Sequence, residues 1–331
     1  MKKLINDPNS VVADALEGLT LAHGDILEVH RNPDYVRRSD APVAGKVALV
    51  SGGGSGHEPL HSGFVGPGML DAACPGAIFT SPSAPQIHDA ASSVATDAGV
   101  LFIVKNYTGD RLNFTMAADM LTATGVPTEV VIVDDDVAVE DSTYTAGRRG
   151  TGATVFVEKI AGAAAEAGAS LEEVARIARK VNENARSMGL ALTSSIVPHV
   201  GSPNFDIGDD QVEMGVGIHG EPGRRRVEME SASGLLARLA EAVVTDLPFV
   251  AGDSVLALVN GLGGTPLIEL YVLAGELGKY CAELDIRIER SLVGSYVTAL
   301  EMAGCTITLV KADQELLDLW DASVTTPALR W

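Results

Sequence analysis

The residues best suited to chemistry sit in two glycine-rich stretches, KVALVSGGGSGHEPLHSG at 46–63 and GVGIHGEPG at 215–223. In the first, glycines at 52, 53, 54 and 56 let the backbone turn freely and approach a bound molecule closely, just ahead of His57, Glu58 and His61. Three ligand chemistries come near this pattern. A phosphate-cradling P-loop needs a Gly-Lys-Ser/Thr ending, which this loop does not have. A dinucleotide fingerprint begun at Gly52 meets His57 where its third glycine belongs; begun at Gly54, it meets Pro59. The run His57-Glu58-Pro59-Leu60-His61 matches the zinc-hydrolase string H-E-x-x-H, which requires both histidines on one face of a continuous helix. Pro59 suits the first position of a helix, and a helix begun there would leave His57 outside and split the pair.

His219 in the second stretch lies between Gly217 and Gly220 at the end of a strand-like run. Such a position exposes an imidazole on a mobile backbone, and it also reads as a turn that contains a histidine. Gly220-Glu221-Pro222 faintly echoes Gly-His-Glu-Pro at 56–59. Asp134-Asp135-Asp136 offers carboxylates to magnesium, but with no Gly-Lys phosphate loop it reads as a solvated strand end. Residues 261–265 read as an anion site at a helix start or as a plain strand-to-helix turn. His61 either lines the pocket of His57 or packs beneath it. His23, His30, His88 and His199 carry no pattern.

Composition narrows the classes. A chain of 331 residues holds one large core or two medium ones, and 46% hydrophobic residues with 5% aromatics favour aliphatic cores of the α/β kind. A formal charge of −20 opposes non-specific binding to nucleic acid or to anionic membranes. No apolar run reaches the ~18 residues of a membrane span, and the first ten residues lack the apolar core of a signal peptide. Cys74, Cys281 and Cys305 show neither a disulfide framework nor zinc-ligand spacing, so a cytoplasmic setting and no resident metal are expected.

The elements that must position these residues follow from periodicity. A helix is expected over 9–23. Strands are expected at 47–50, 77–79, 100–104 and 130–133, each running into a polar or glycine turn, with helices over 84–95 and 113–123 between them. This alternation predicts a doubly wound, mostly parallel sheet whose strand ends gather ligand groups on one edge. A loop at 145–154 leads to helices over 155–167 and 170–188, the latter behind a capping box of Ser170 and Glu173. Beyond it, strands at 190–193, 213–218, 254–259, 287–289 and 306–310 alternate with helices over 232–245, 266–284, 295–303 and 314–320. The expected organisation is two α/β domains, 1–189 and 190–331, the second a mixed sheet with helices.

Read together, GKVALVSGGGSGHEPLHSGFVG, FTSPS, KNYTGDRLNF, VIVDDDVAVEDSTYTAGRRG, MGVGIHGEPG, ALVNGLGGTPL and the final TPALRW resemble dihydroxyacetone kinase in its substrate-binding K subunit, in order along nearly the whole chain. The resemblance implies that the His219 imidazole adds to the ketone carbon of dihydroxyacetone and holds it as a hemiaminal. It implies that His57 hydrogen-bonds the bound ketone, and that Asp110 bonds a terminal hydroxyl and serves as general base. It places Gly54, Ser81 and Lys105 around the substrate, and gives Arg179 a part near the transferring phosphate. A solvated charge on its helix is the other reading of Arg179.

The resemblance further implies no cofactor on this chain, because ATP-dependent relatives carry an additional helical nucleotide domain not found in this sequence. ADP or ATP and magnesium are then expected on a separate L subunit, recharged through a phosphotransferase-system phosphocarrier, and a homodimer is expected. Erythrulose or glyceraldehyde remain alternative substrates. The principal rival is a ketone-sensing paralogue that works with a transcriptional regulator; a zinc hydrolase built on His57 and His61 is the third reading.

Overall fold

The computed structural model describes residues 2–138 and 146–331. The first half of the chain runs α1 (Val11–His23), β1 (Leu27–His30), β2 (Tyr35–Arg38), β3 (Ala48–Ser55), β4 (Ala72–Ile78), α2 (Ala84–Val94), β5 (Val100–Lys105), α3 (Thr108–Ala123) and β6 (Thr128–Val133). Two helices follow, α4 (Ala153–Glu166) and α5 (Leu171–Glu183). The remainder is β7 (Ala185–Ala191), β8 (Gln211–Met214), β9 (Arg225–Glu228), α6 (Ala232–Asp246), β10 (Ser254–Gly261), α7 (Leu267–Glu283), β11 (Arg287–Gly294), β12 (Gly304–Lys311) and α8 (Gln314–Asp321).

The strands form two sheets, ordered β1-β2-β4-β3-β5-β6 and β11-β10-β12-β7-β8-β9. In the first sheet β4, β3, β5 and β6 are parallel, with β2 and β1 added antiparallel at one edge. In the second only β10 and β11 are parallel. The expected α/β class, one mostly parallel sheet and one mixed, is therefore what the chain forms.

Period-two alternation explains the layers. Leu49, Leu101 and Ile103 face a core shared with α4, α5 and α8, while Val50, Phe102 and Val104 face α2 and α3. On β10, Leu256 and Leu258 join that same central core, and Val255, Ala257 and Val259 pack under α6 and α7. The sheets thus share a middle layer of helices. Within it α4 is buried on every side from Ala153 to Ala165, as its alanine-rich sequence favours, and it carries Glu158 and Lys159 into that layer. Side-chain caps set several helix starts: Ser83, Ser170, Ser231 and Asp313 accept from the amides of Gln86, Glu173, Gly234 and Leu316. Only half of the expected capping box forms, since the Glu173 carboxylate pairs with Arg176.

Several boundaries differ from expectation. β3 does not end at Val50 but continues through Gly52, Gly53 and Gly54 to Ser55, buried throughout and paired with β4. Pro59 opens no α-helix; 57–61 is a turn leading into a short 3₁₀ segment, Ser62–Phe64. α3 begins at Thr108, which brings Asp110 into its first turn. α5 stops at Glu183 rather than continuing to Met188, because the chain re-enters a sheet. The division expected at 189/190 falls inside β7, whose Ala185 already pairs with Val310. Residues 295–303 are not helical but loop between β11 and β12. Residues 139–145 of the VIVDDDVAVEDSTYTAGRRG motif, including the start of the expected 145–154 loop, lie outside the described residues.

Candidate active site

In the first sheet the chain leaves β3 for β4 on one side and later returns to β5 on the other. The carboxyl ends of these strands flank the switch point where open α/β sheets bind ligands. A cleft of about 1070 Å³ opens there, lined by Gly54, Ser81, Tyr107, Asp110, Asn204 and His219, among others. Ser81 follows β4, Asp110 starts α3, and His219 lies just beyond β8 in the second sheet. Both halves of the chain therefore build one site.

The two histidines meet at its wall, where His219 lines the cleft and the buried His57 packs against it. Their ring centroids are 4.8 Å apart, inclined at 79°. Phe79 stacks on His57 at 4.9 Å and presents its edge to His219 at 5.3 Å, while Tyr107 closes the other side of His219 at 4.6 Å. Phe79 takes a φ of +54°, a left-handed conformation costing an aromatic residue ~1–3 kcal/mol, so its ring is held here against local preference. Gly54 cannot carry a side chain: a Cβ there would lie 2.5 Å from the Thr80 nitrogen and 2.7 Å from the Phe79 carbonyl carbon. The glycine run thus lets the segment after β4 press against β3 and deliver Phe79 and Ser81.

Hydrogen bonds define both tautomers. His57 Nδ1 lies 2.7 Å from the Thr298 carbonyl, which only accepts, so Nδ1 carries the proton and Nε2 keeps a lone pair. That Nε2 is buried without a protein partner. Burial, together with His219 and Lys105, holds the His57 imidazole well below its ordinary range, hence neutral. His219 Nδ1 lies 2.9 Å from Glu221 Oε1, while Glu221 Oε2 accepts the His219 backbone N–H at 2.9 Å. Burial alone would raise the Glu221 carboxyl, but His219 and Arg149 hold it down at about 2. An ionised Glu221 fixes the proton on Nδ1 and leaves Nε2 of His219 as the basic atom. Gly217 makes this possible, because a Cβ there would sit 1.9 Å from Glu221 Oε2.

Lys105, the last residue of β5, is fully buried beside Asp110. Burial pulls its ammonium below the usual lysine range, and Asp110 and Glu158 push it back. Of the residues singled out in the sequence, His219, His57, Asp110, Gly54, Ser81 and Lys105 converge. Arg179 does not: it lies on the exposed side of α5, pairs with Glu129, and lines a separate charged depression with Arg176 and Lys180. Of Asp134-Asp135-Asp136, only Asp134 is a solvated strand end. Asp135 and Asp136 are buried, Asp135 on the amides of Thr151 and Ala153 and Asp136 on Arg149. Among the described residues no group of three or more His, Cys, Asp or Glu side chains is placed to hold a metal, and the His57–His61 turn lacks the helix that zinc chemistry requires.

Sequence reasoning missed Glu221, Phe79, Tyr107 and Thr298. Glu221 was within reach, two residues from His219 in GIHGEPG. The others depend on backbone geometry and on contacts between distant segments.

The Dak1 domain family matches residues 17–328. The Escherichia coli K12 protein named PEP-dependent dihydroxyacetone kinase, dihydroxyacetone-binding subunit DhaK, is 49% identical over 355 aligned positions, covering 100% of this chain and 99% of that protein. The solved dihydroxyacetone kinase of C. freundii, in its native form, superposes with a TM-score of 0.91 at 34% identity, over 98% of this chain and 60% of its own, so this chain spans under two thirds of that longer protein. A solved dihydroxyacetone kinase operon co-activator, Dha-DhaQ, superposes with a TM-score of 0.89 at 30% identity, over 95% of this chain and 96% of its own. A family match that runs from α1 to the turn beyond α8, with the glycine strand and both histidines inside it, means that this chain belongs to the Dak1 family.

Proposed function

We propose that this chain is the dihydroxyacetone-binding subunit of a dihydroxyacetone kinase, holding the ketone covalently on His219 and presenting its hydroxyl for phosphorylation. The observation that carries this is the meeting of His219, its Nδ1 proton committed to Glu221, with a neutral, buried His57 at the wall of the cleft that His219 and Asp110 line. His219 Nε2 attacks the carbonyl carbon, an N–C bond forms as the C=O π bond breaks, and the oxygen takes a proton from solvent water in the cleft to become the hemiaminal hydroxyl. The ring gains positive charge in this step, and the Glu221 carboxylate neutralises it.

A covalent handle suits so small a ligand. Dihydroxyacetone has about six non-hydrogen atoms, half of them oxygens that water already satisfies, so non-covalent contacts alone give weak binding. Addition to a carbonyl also rejects glycerol, which has the hydroxyls but no electrophilic carbon. Erythrulose and glyceraldehyde share the recognised group, so competition with dihydroxyacetone ranks them. His57 Nε2 accepts from a ligand hydroxyl, and Asp110 takes the proton of the hydroxyl that is phosphorylated. Proton removal contributes modestly beside positioning and charge neutralisation, which dominate phosphoryl transfer.

The cleft, about 1070 Å³, is far larger than a triose and leaves room for a donor brought from outside. The E. coli relative, matched along its length, is named a subunit of a PEP-dependent kinase. By analogy the donor nucleotide and its magnesium sit on an L-type partner, recharged by a phosphocarrier, and Arg179 belongs to a face offered to that partner rather than to the ketone pocket. Three free, buried cysteines suit a cytoplasmic setting. No helix among the described residues is long and apolar enough to cross a membrane.

The likeness to an operon co-activator supports a second reading, ketone sensing without turnover. Supplying the purified chain with dihydroxyacetone, an ADP-holding L-type partner and its recharging components separates the two. Dihydroxyacetone phosphate forms if the chain is the kinase subunit. Ketone binding without product assigns it to sensing, and no binding contradicts both.

A further inference from the structure

His61, the second histidine of the 57–61 turn, is absent from the cleft and lies beneath β3 in a fully buried chain of polar groups. Its Nε2 is 2.6 Å from Lys105 Nζ, and its Nδ1 is 2.6 Å from Glu158 Oε1 and 3.0 Å from Ser51 Oγ. Ser51 gives its hydroxyl hydrogen to the Ile103 carbonyl at 2.7 Å, so toward His61 it can only accept. The proton of His61 is therefore on Nδ1, and the Nε2 lone pair receives a hydrogen from Lys105. The order of donation is Lys105 to His61 to Glu158.

Glu158 belongs to α4, the helix surrounded by apolar packing, and its Oε2 has no partner. A carboxyl in that layer is costly unless it serves something, because an apolar residue there would bury more favourably. What it reaches is His61, and through that ring Lys105. A Cβ on Gly53 would lie 2.6 Å from Lys105 Nζ, 3.6 Å from Asp110 Oδ2 and 3.6 Å from His61 Nε2, so the amine and the Asp110 carboxylate share one face of the glycine strand.

We propose that Glu158 and His61 are positioning residues that hold the buried Lys105 ammonium beside Asp110, which lines the ketone cleft. The inference rests on the ketone-binding function proposed above. The titratable groups bearing on Lys105 are Asp110 from α3, His57 and His61 from the turn after β3, and Glu158 from α4. Burial pushes the Glu158 carboxyl up to about 8, against the pull of the Lys105 charge. Its negative charge therefore grows as the solution turns alkaline, where Lys105 is most prone to lose its proton.

The test is the affinity of the full-length chain for dihydroxyacetone between about pH 6 and pH 10, by calorimetry, for wild type, Glu158→Gln and Lys159→Met. Lys159, the next residue of α4, is buried on the Leu319 carbonyl and serves as the packing control. Glu158→Gln is expected to match wild type near pH 6 and to lose affinity earlier on the alkaline side, its limb displaced downward by about one pH unit. Lys159→Met is expected to lower the melting temperature without moving the limb. A Glu158→Gln curve that superimposes on wild type, or that falls by one constant factor at every pH, overturns the proposal. Heteronuclear NMR of the wild-type histidines tests the same chain without a variant: His61 must carry its proton on Nδ1, and an Nε2-protonated ring contradicts the arrangement. If wild type binds no dihydroxyacetone, the ketone function is what fails, and the tautomer still decides whether Lys105 is held in this way.

Discussion

Thr298 holds His57 across the two halves of the chain. The Thr298 carbonyl accepts His57 Nδ1–H at 2.7 Å, and the Thr298 amide donates to the His57 carbonyl at 3.2 Å. The Thr298 hydroxyl adds a bond to the Glu58 carbonyl at 2.9 Å. The imidazole is thereby fixed in one tautomer by a loop from the second sheet, and it stays neutral because burial and its charged neighbours disfavour a proton.

That burial has a consequence for acid stability. The folded His57 resists protonation, whereas the unfolded chain binds a proton as pH falls through the ordinary value of 6.5. Stability present above that pH is lost below it, at up to about 1.4 kcal/mol per pH unit for this one group. His57→Gln is expected to lose less stability than wild type between about pH 7 and pH 5, measured by urea unfolding. Identical slopes would show that His57 is protonated in the folded protein.

Glu221→Gln keeps the shape of the His219 partner but removes the charge that neutralises the ring as it adds to the ketone. Loss of a charge-assisted bond of ~1.5–3 kcal/mol corresponds to a fall of about 10- to 100-fold in dihydroxyacetone affinity. Calorimetric titration reads this directly, and an unchanged affinity would remove Glu221 from the chemistry.

His219→Ala and Asp110→Asn are expected to fail in different ways. The first raises KM strongly, because the covalent handle is gone; the second depresses kcat by about 100-fold or more while leaving ketone binding largely intact. Steady-state kinetics with the L-type partner separate the two patterns. Equal effects of both variants on KM alone would deny Asp110 its role as base.

Gly54→Ala sets a methyl group 2.5 Å from the Thr80 nitrogen. Backbone must move to admit it, at a cost of ~1–3 kcal/mol, and Phe79 and Ser81 move with it. The expected outcome is a lower melting temperature together with weaker ketone binding. A variant with wild-type affinity would show that the segment after β4 does not shape the cleft.

The legible parts of this molecule were those governed by local pattern. The continuous apolar runs of β5, β6 and β10 read directly as strands, the helices α2 and α6 follow from periodicity, and α5 follows from periodicity and its Ser170 cap. β3 was half legible: Val47 to Val50 reads as a strand, but glycine propensity points to a loop, whereas pairing with β4 keeps Gly52 to Ser55 extended. Residues 295–303 have helical spacing, yet their backbone is committed to Gly56, His57 and Leu262, so tertiary bonds override propensity. The same override hid Thr298. His57 and His219 stand out by their glycine flanks, but Asp110 and the meeting of all three came through motif resemblance, since no local rule brings residues so distant in sequence together. Arg179, matched in the same way, lies outside the pocket because its side chain extends from the solvent side of α5 to Glu129.

The most direct test is the electron density of a crystal soaked in dihydroxyacetone. Continuous density from Nε2 of His219 to a tetrahedral ketone carbon, with Asp110 and His57 on its hydroxyls, is the expected result. A planar ketone lying free of His219, or bound away from His57 and Asp110, would contradict covalent capture.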